Sequence, residues 1–239
     1  MSACLAFPAG AGAAVLYDQN NSPGTGGSTS QVGSAIPEPI DLQTADDFTV
    51  PAGQQWTIQD VNVTGQYENG SGPVPAVNVF IYSDSGGAPG ARVFGGTVPV
   101  ANGSGPSFLI GLGGGVPLSP GHYWLSFQAQ LDNFPLEIWD WKNRKAVSGS
   151  PAMFQTNAGN QLTGCHPWMP RTTTGVCPGF ESEPDQMFSL GGTSAPVSTA
   201  PGPVTTAPPA VTKKKCKKKK RHAAAAKKKK CKKKKKKKR

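Results

Sequence analysis

Short runs in which apolar residues occupy every second position, set between glycine- and proline-rich turns, limit what this chain can fold into. Val77-Asn-Val-Phe-Ile-Tyr82 is the clearest of them. On an extended backbone Val77, Val79 and Ile81 share one face while Phe80 and Tyr82 take the other, so both faces have apolar cover, as in the middle of a packed sheet. No stretch of the body sustains apolar residues at helical spacing. The 30 glycines and 23 prolines of the 239 residues supply turn chemistry between the runs. The reading is all-β: an antiparallel β-sandwich, jelly-roll-like, of about eight to ten short strands.

The alternation predicts a strand at residues 14–17 and then an irregular lead-in over the turn-rich residues 20–37. Trp56-Thr-Ile58 alternates, and Val61-Asn-Val63 resumes one residue out of phase, which predicts a β-bulge near Gln59 and Asp60. Residues 83–90 read as a turn and 92–98 as the returning strand of a hairpin. Further strands are expected at 107–112, 122–130, 136–141, 152–155 and 186–190. In the second of these Tyr123, Leu125, Phe127 and Ala129 face one way.

Charge divides the chain sharply. The last 27 residues hold 18 lysines and 2 arginines, which leaves five basic residues against 14 acidic ones in the first 212, a net charge of −9. Residues 213–239 therefore read as a disordered polycationic tail that seeks polyanions. Residues 191–212, rich in Pro, Ala and Thr and without charge, read as an extended spacer of at most roughly 70 Å at ~3.1 Å per residue. Residues 14–190 are the β-sandwich domain. Residues 1–13 carry small residues at an export-type cleavage site, Ala11-Gly12-Ala13, without the basic and fully apolar regions that precede such a site. They read as a truncated signal peptide, the alternative being an ordinary disordered N-terminus. No run reaches the ~18 apolar residues of a membrane-spanning helix, so the protein is not expected to be transmembrane.

Cys4 falls in the leader, Cys165 and Cys177 in the body, Cys216 and Cys231 in the tail. Cys165 and Cys177 enclose a loop without apolar periodicity, for which a disulfide is worth ~3 kcal/mol. Two buried free thiols are the alternative, and zinc is disfavoured because no C-x-x-C or paired histidine accompanies them. Cys216 and Cys231 either close a loop or crosslink two chains.

The segments Ala45-Asp-Asp-Phe-Thr-Val-Pro-Ala-Gly53, Trp56-Thr-Ile58, Val79-Phe-Ile-Tyr82 with Asp84, Gly87-Ala-Pro-Gly90 and Gly121-His-Tyr-Trp-Leu-Ser-Phe127 resemble a module of secreted bacterial surface proteins. That module recurs as ADDF-x-VPAG, W-x-I, I-Y-x-D, G-x-PG and YWLSF. The resemblance covers about residues 45 to 190, including Gly164-Cys165 and Trp168. The lysine-rich tail, broken by cysteine and a short alanine run, is similar to tails on exported proteins of high-GC Gram-positive bacteria. This resemblance implies an extracellular β-sandwich in a surface setting and transfers no catalytic residue.

Chemistry-bearing residues are few. His122, His166 and His222 stand in no nucleophile or metalloprotease motif. Glu137, Asp140, Glu181, Glu183 and Asp185 are the carboxylates from which a secreted glycan-acting hydrolase would draw an acid and a base. Asp46 and Asp47 are calcium candidates as adjacent carboxylates, the alternative being that one caps a turn and the other binds backbone amides. Asp84 reads as turn chemistry first and a calcium ligand second. No cofactor beyond a structural calcium is implied.

Trp139, Trp141 and Glu137 share one face of a strand. If Leu136 and Ile138 face the core, two indoles are left outside to stack sugar rings, with Tyr82 or Trp168 extending the platform. The alternative places the tryptophans in the core. In the tail, Lys213, Lys217, Arg221, Lys227, Lys232 and Arg239 are representative polyanion contacts to anionic wall polymer or membrane surface. A merely solubilising extension is the alternative, and nucleic acid is a partner only as a non-specific polyanion. The sequence thus predicts a non-catalytic protein, extracellular or on the cell envelope, that binds or adheres through its body.

Overall fold

The computed structural model describes residues 13–35, 38–100, 105–156, 165–172 and 182–197, all within the unit Met1–Ser198. Among them the chain is all-β, with fifteen strands in three sheets. A four-stranded antiparallel sheet runs in the order β1 (Ala14–Asp18), β15 (Phe188–Pro196), β5 (Gln54–Val63), β9 (Phe108–Leu118). A seven-stranded sheet runs β13 (Met169–Pro170), β12 (Met153–Thr156), β4 (Ile40–Val50), β3 (Gln31–Gly33), β10 (Gly121–Gln130), β7 (Ala76–Asp84), β8 (Pro89–Pro99). In it β3 is wedged between the diverging ends of β4 and β10, which pair directly from Gly121↔Val50 to Ser126↔Ala45. In the third sheet β11 (Ile138–Arg144) pairs with β2 (Pro23–Thr29), β6 (Gly65–Asn69) and β14 (Asp185–Gln186).

The alternation of β7 is realised as the sequence predicts. Ile81, Val79 and Val77 lie opposite Leu125, Phe127 and Ala129 of β10, and all six are fully buried. Ile58, Val61, Ile110 and Leu190 of the four-stranded sheet belong to the same hydrophobic cluster. The inner faces of these two sheets thus share one core, whose removal from water at ~25 cal/mol per Å² is the main stabilising contribution. The bulge also falls where expected. Gly192 and Gly191 of β15 face Ile58 and Asp60 of β5, which leaves Gln59 as the extra residue.

Two expectations are corrected. The lead-in at 20–37 is not irregular, because it contains β2 and β3. Its glycines look like turn signals but serve close approach: a Cβ on Gly27 would sit 2.5 Å from Cβ of Asp140 on the neighbouring strand. The spacer does not begin at 191, since β15 continues to Pro196 and stays in register with β5 to the pair Pro196↔Gln54. No helix among the described residues is long and apolar enough to cross a membrane.

Candidate ligand-binding face

The tryptophan platform is also corrected. Trp139 and Trp141 are fully buried while Leu136 is 72% exposed, so the faces of β11 are reversed from the expectation. The two indoles pack among Phe108, Phe127 and Phe188, with ring centroids 5.7–6.4 Å apart. Each satisfies its N–H on a carbonyl, Trp139 on Pro106 and Trp141 on Met187, both at 2.8 Å. Two large apolar groups with local acceptors outweigh one leucine and one isoleucine in the competition for the interior. Glu137 lies before β11, and its Oε2 accepts the Ser71 and Gly72 N–H groups at 3.1 and 3.2 Å. That carboxylate holds a turn and forms no part of a platform.

Asp46 and Asp47 are neighbours on β4 and project to opposite faces, so they do not converge on one calcium ion. Asp46 lies level with Leu125 and Asp47 level with Trp124. Asp46 Oδ1 accepts the Asp47 N–H and Oδ2 accepts Gln19 Nε2 and the Gln186 N–H. Burial, followed by the charge of Asp185, raises its carboxyl well above the ordinary range. Among the described residues no group of three or more His, Cys, Asp or Glu side chains is placed to hold a metal ion. Asp47 Oδ2 meets His122 Nε2 at 2.6 Å, and His122 Nδ1 lies 3.2 Å from Asp84 Oδ1, which also accepts the Trp124 indole N–H at 2.9 Å. Both imidazole nitrogens therefore face carboxylates, and the histidine pins the turn at Asp84 to β4.

Asp140, Glu183 and Asp185 are embedded in a buried polar layer. Burial raises Asp185 to about 6 against the Ser148 N–H and the Arg144 guanidinium, with Asp47 adding to the rise. Burial likewise raises Asp140 to about 6 against its bond from Thr29 Oγ1. For Glu183 burial works upward too, but the N–H groups of Thr25 and Gly26 and the Thr25 hydroxyl together hold it at about 2. Arg171, fully buried, is lowered by burial to about 10 against the charges of Asp46, Glu183, Asp185 and Asp140. Glu181 lies outside the described residues, as do the six tail residues named above and His222. Cys165 is buried, while Cys177 lies outside the described residues.

Tyr82 and Trp168 do come together. Their rings meet edge to face at 5.8 Å and 73° on the face of the seven-stranded sheet that points away from the core, over Ala45, Trp124 and Met153. Phe80 shares this face two residues earlier, with the Arg92 guanidinium 5.4 Å above its ring.

Beside these aromatics runs a row of amides that sequence reading passed over. Gln155 Nε2 donates to Gln43 Oε1 at 2.7 Å, and Gln43 Nε2 donates to the Tyr82 hydroxyl at 2.9 Å. Gln128 Nε2 reaches across to Asp41 Oδ1 and the Leu42 carbonyl, and its Oε1 accepts from Asn78 Nδ2. Asn78 Oδ1 in turn accepts from Thr97 Oγ1 and Gln130 Nε2. Shallow depressions lie along the row, one of ≈ 160 Å³ at Gln43, Gln155 and His166 and one of ≈ 510 Å³ at Asn78, Thr97 and Gln130. Alternation marks these positions as polar, but only the strand order puts them in line.

No family model, curated protein or solved structure matches this chain.

Proposed function

We propose that the chain is a non-catalytic protein of the cell envelope or extracellular space. Its body is a β-sandwich of jelly-roll type that binds or adheres, stapled by a Cys165–Cys177 disulfide. Its lysine-rich segment ties it to anionic wall polymer or phospholipid. The observation that carries this reading is the charge partition, 20 basic residues in the last 27 against a net −9 in all that precedes them. A lysine near an anionic surface contributes up to ~1 kcal/mol, so partial engagement of the segment holds the chain. The body is repelled by the same surface. With β15 ending at Pro196, a spacer over residues 198–212 reaches up to roughly 45 Å at ~3.1 Å per residue. That is several times the ~8 Å over which physiological salt screens the repulsion. The resemblance to secreted surface modules supports the same setting.

The test is co-sedimentation of the full chain with vesicles of phosphatidylglycerol or of phosphatidylcholine. The expected result is pelleting with the anionic vesicles alone, reversed by high salt and lost in a chain ending at Thr212. Equal pelleting of the shortened chain would overturn the electrostatic tether.

A further inference from the structure

The amide row and the aromatic pair beside it have a chemistry of their own. Five strands, β12, β4, β10, β7 and β8, contribute to the row, which at the 4.7–4.9 Å spacing of paired strands extends over roughly 20 Å. Primary amides present a donor and an acceptor in one plane, and here they are oriented by one another: Gln155 on Gln43, Gln43 on Tyr82, Asn78 on Gln128. A ligand meeting them has less side-chain freedom to remove than on an unlinked polar surface. Among the described residues Oε1 of Gln155, Oε1 of Gln130 and Oδ2 of Asp41 accept no hydrogen bond, so both sets of linked side chains keep capacity to spare. The Tyr82 hydroxyl receives Gln43 and retains its own proton to donate.

Charge narrows the choice of ligand. Among the described residues no lysine lies on this face; along the row its ionic groups are Asp41 and Arg92, of opposite sign, while beyond Trp124 the carboxylates Asp47 and Asp84 are both engaged by His122. Along the row itself no excess of one charge selects a polyanion or a polycation. Paired neutral donors and acceptors match hydroxyl groups, which offer both, and the rings of Tyr82, Trp168 and Phe80 match the apolar faces of pyranose rings.

We propose that the outward face of the seven-stranded sheet binds a neutral, extended glycan, its hydroxyls on the Gln155–Gln43–Gln128–Asn78–Thr97 row and its ring faces toward Tyr82 and Trp168. This names the ligand class of the body and so rests on the binding reading above, while remaining independent of the tether.

The experiment is calorimetric titration of the full chain with linear neutral hexose oligosaccharides of gluco, manno and galacto configuration, and with an oligogalacturonate as the anionic comparison, at low and high salt. Saturable binding of a neutral oligosaccharide, unchanged by salt, is expected. Gln155→Ala and Thr97→Val, at partly buried and exposed positions, should each weaken it about 5- to 10-fold, the worth of one hydrogen bond. Leu109→Ala, on the four-stranded sheet, should leave it unchanged. Urea midpoints equal to that of the parent chain establish that the variants are folded. Lack of saturable binding to every neutral oligosaccharide overturns the proposal. So does binding confined to the anionic one and abolished by salt, which is the signature of the tail, or binding indifferent to both substitutions. Failure here together with retained pelleting on anionic vesicles removes the glycan and leaves the tether. Glycan binding without pelleting does the reverse.

Discussion

At the scale of single residues, burial of indoles sets the inside of β11. A Trp or Phe removed from a well-packed core costs ~3–5 kcal/mol, and Trp141 is fully enclosed with its N–H satisfied. Trp141→Ala should lower unfolding stability by about 3–5 kcal/mol, whereas Leu136→Ala should change it by less than ~0.5 kcal/mol. Urea denaturation followed by far-UV circular dichroism measures both, and the opposite order would restore the external platform. Period-two spacing tells which residues share a face but not which face is inside, and that is why this part of the site was not legible. The buried acids make a prediction about pH. The folded chain holds the Asp185 proton up to about 6 while the unfolded chain releases it near 3.8. Over that window the unfolded state binds fewer protons, so the contribution of Asp185 is full below about 3.8 and is lost as pH rises through about 6. Asp46, also raised, acts in the same direction. Glu183, held at about 2 against an ordinary 4.5, acts oppositely: its contribution is present above 4.5 and lost as pH falls toward 2. Midpoints measured across pH should therefore peak in the mildly acid range, and Asp185→Asn should flatten the decline between pH 4 and 6. An unaltered decline in that variant would show that other groups cause it.

At the scale of elements, strands with clean alternation were legible from the sequence, and so was the slip in phase that marks the bulge at Gln59. β7 and β10 were found because valine, isoleucine and phenylalanine both favour strands and mark the buried face. β2 and the end of β15 were missed because glycine, serine and threonine carry no periodic signal. What holds them is backbone pairing to a partner distant in sequence. At Gly192 a Cβ would run into the Thr57 carbonyl, so the glycine there serves contact between strands rather than a flexible spacer. A chain ending at Leu190 should accordingly be less stable than one ending at Val197 by on the order of 2–4 kcal/mol, the loss of several ladder bonds at ~1 kcal/mol each. Equal urea midpoints for the two would mean that the paired strand stops near 190. The amide row belongs to this scale as well. Its members sit at ordinary polar positions of β12, β4, β10, β7 and β8, and only the order of strands brings them into one line.

At the scale of the whole molecule, two parts of opposite charge follow one another along the chain, and this much was plain in the sequence. The body is acidic, keeps its own basic residues few, and directs Arg144 and Arg171 inward to a buried layer of carboxylates. That arrangement leaves the lysine-rich segment as the chief source of attraction to a polyanion. Nucleic acid would engage the same lysines with the same salt dependence, so location within the cell separates the two readings better than binding does. The most direct measurement is fractionation of cells that express the tagged gene, with and without residues 213–239, into cytosol, envelope and medium. The account predicts envelope retention of the full chain that high salt or loss of the tail abolishes. Full-length protein confined to the cytosol would contradict it.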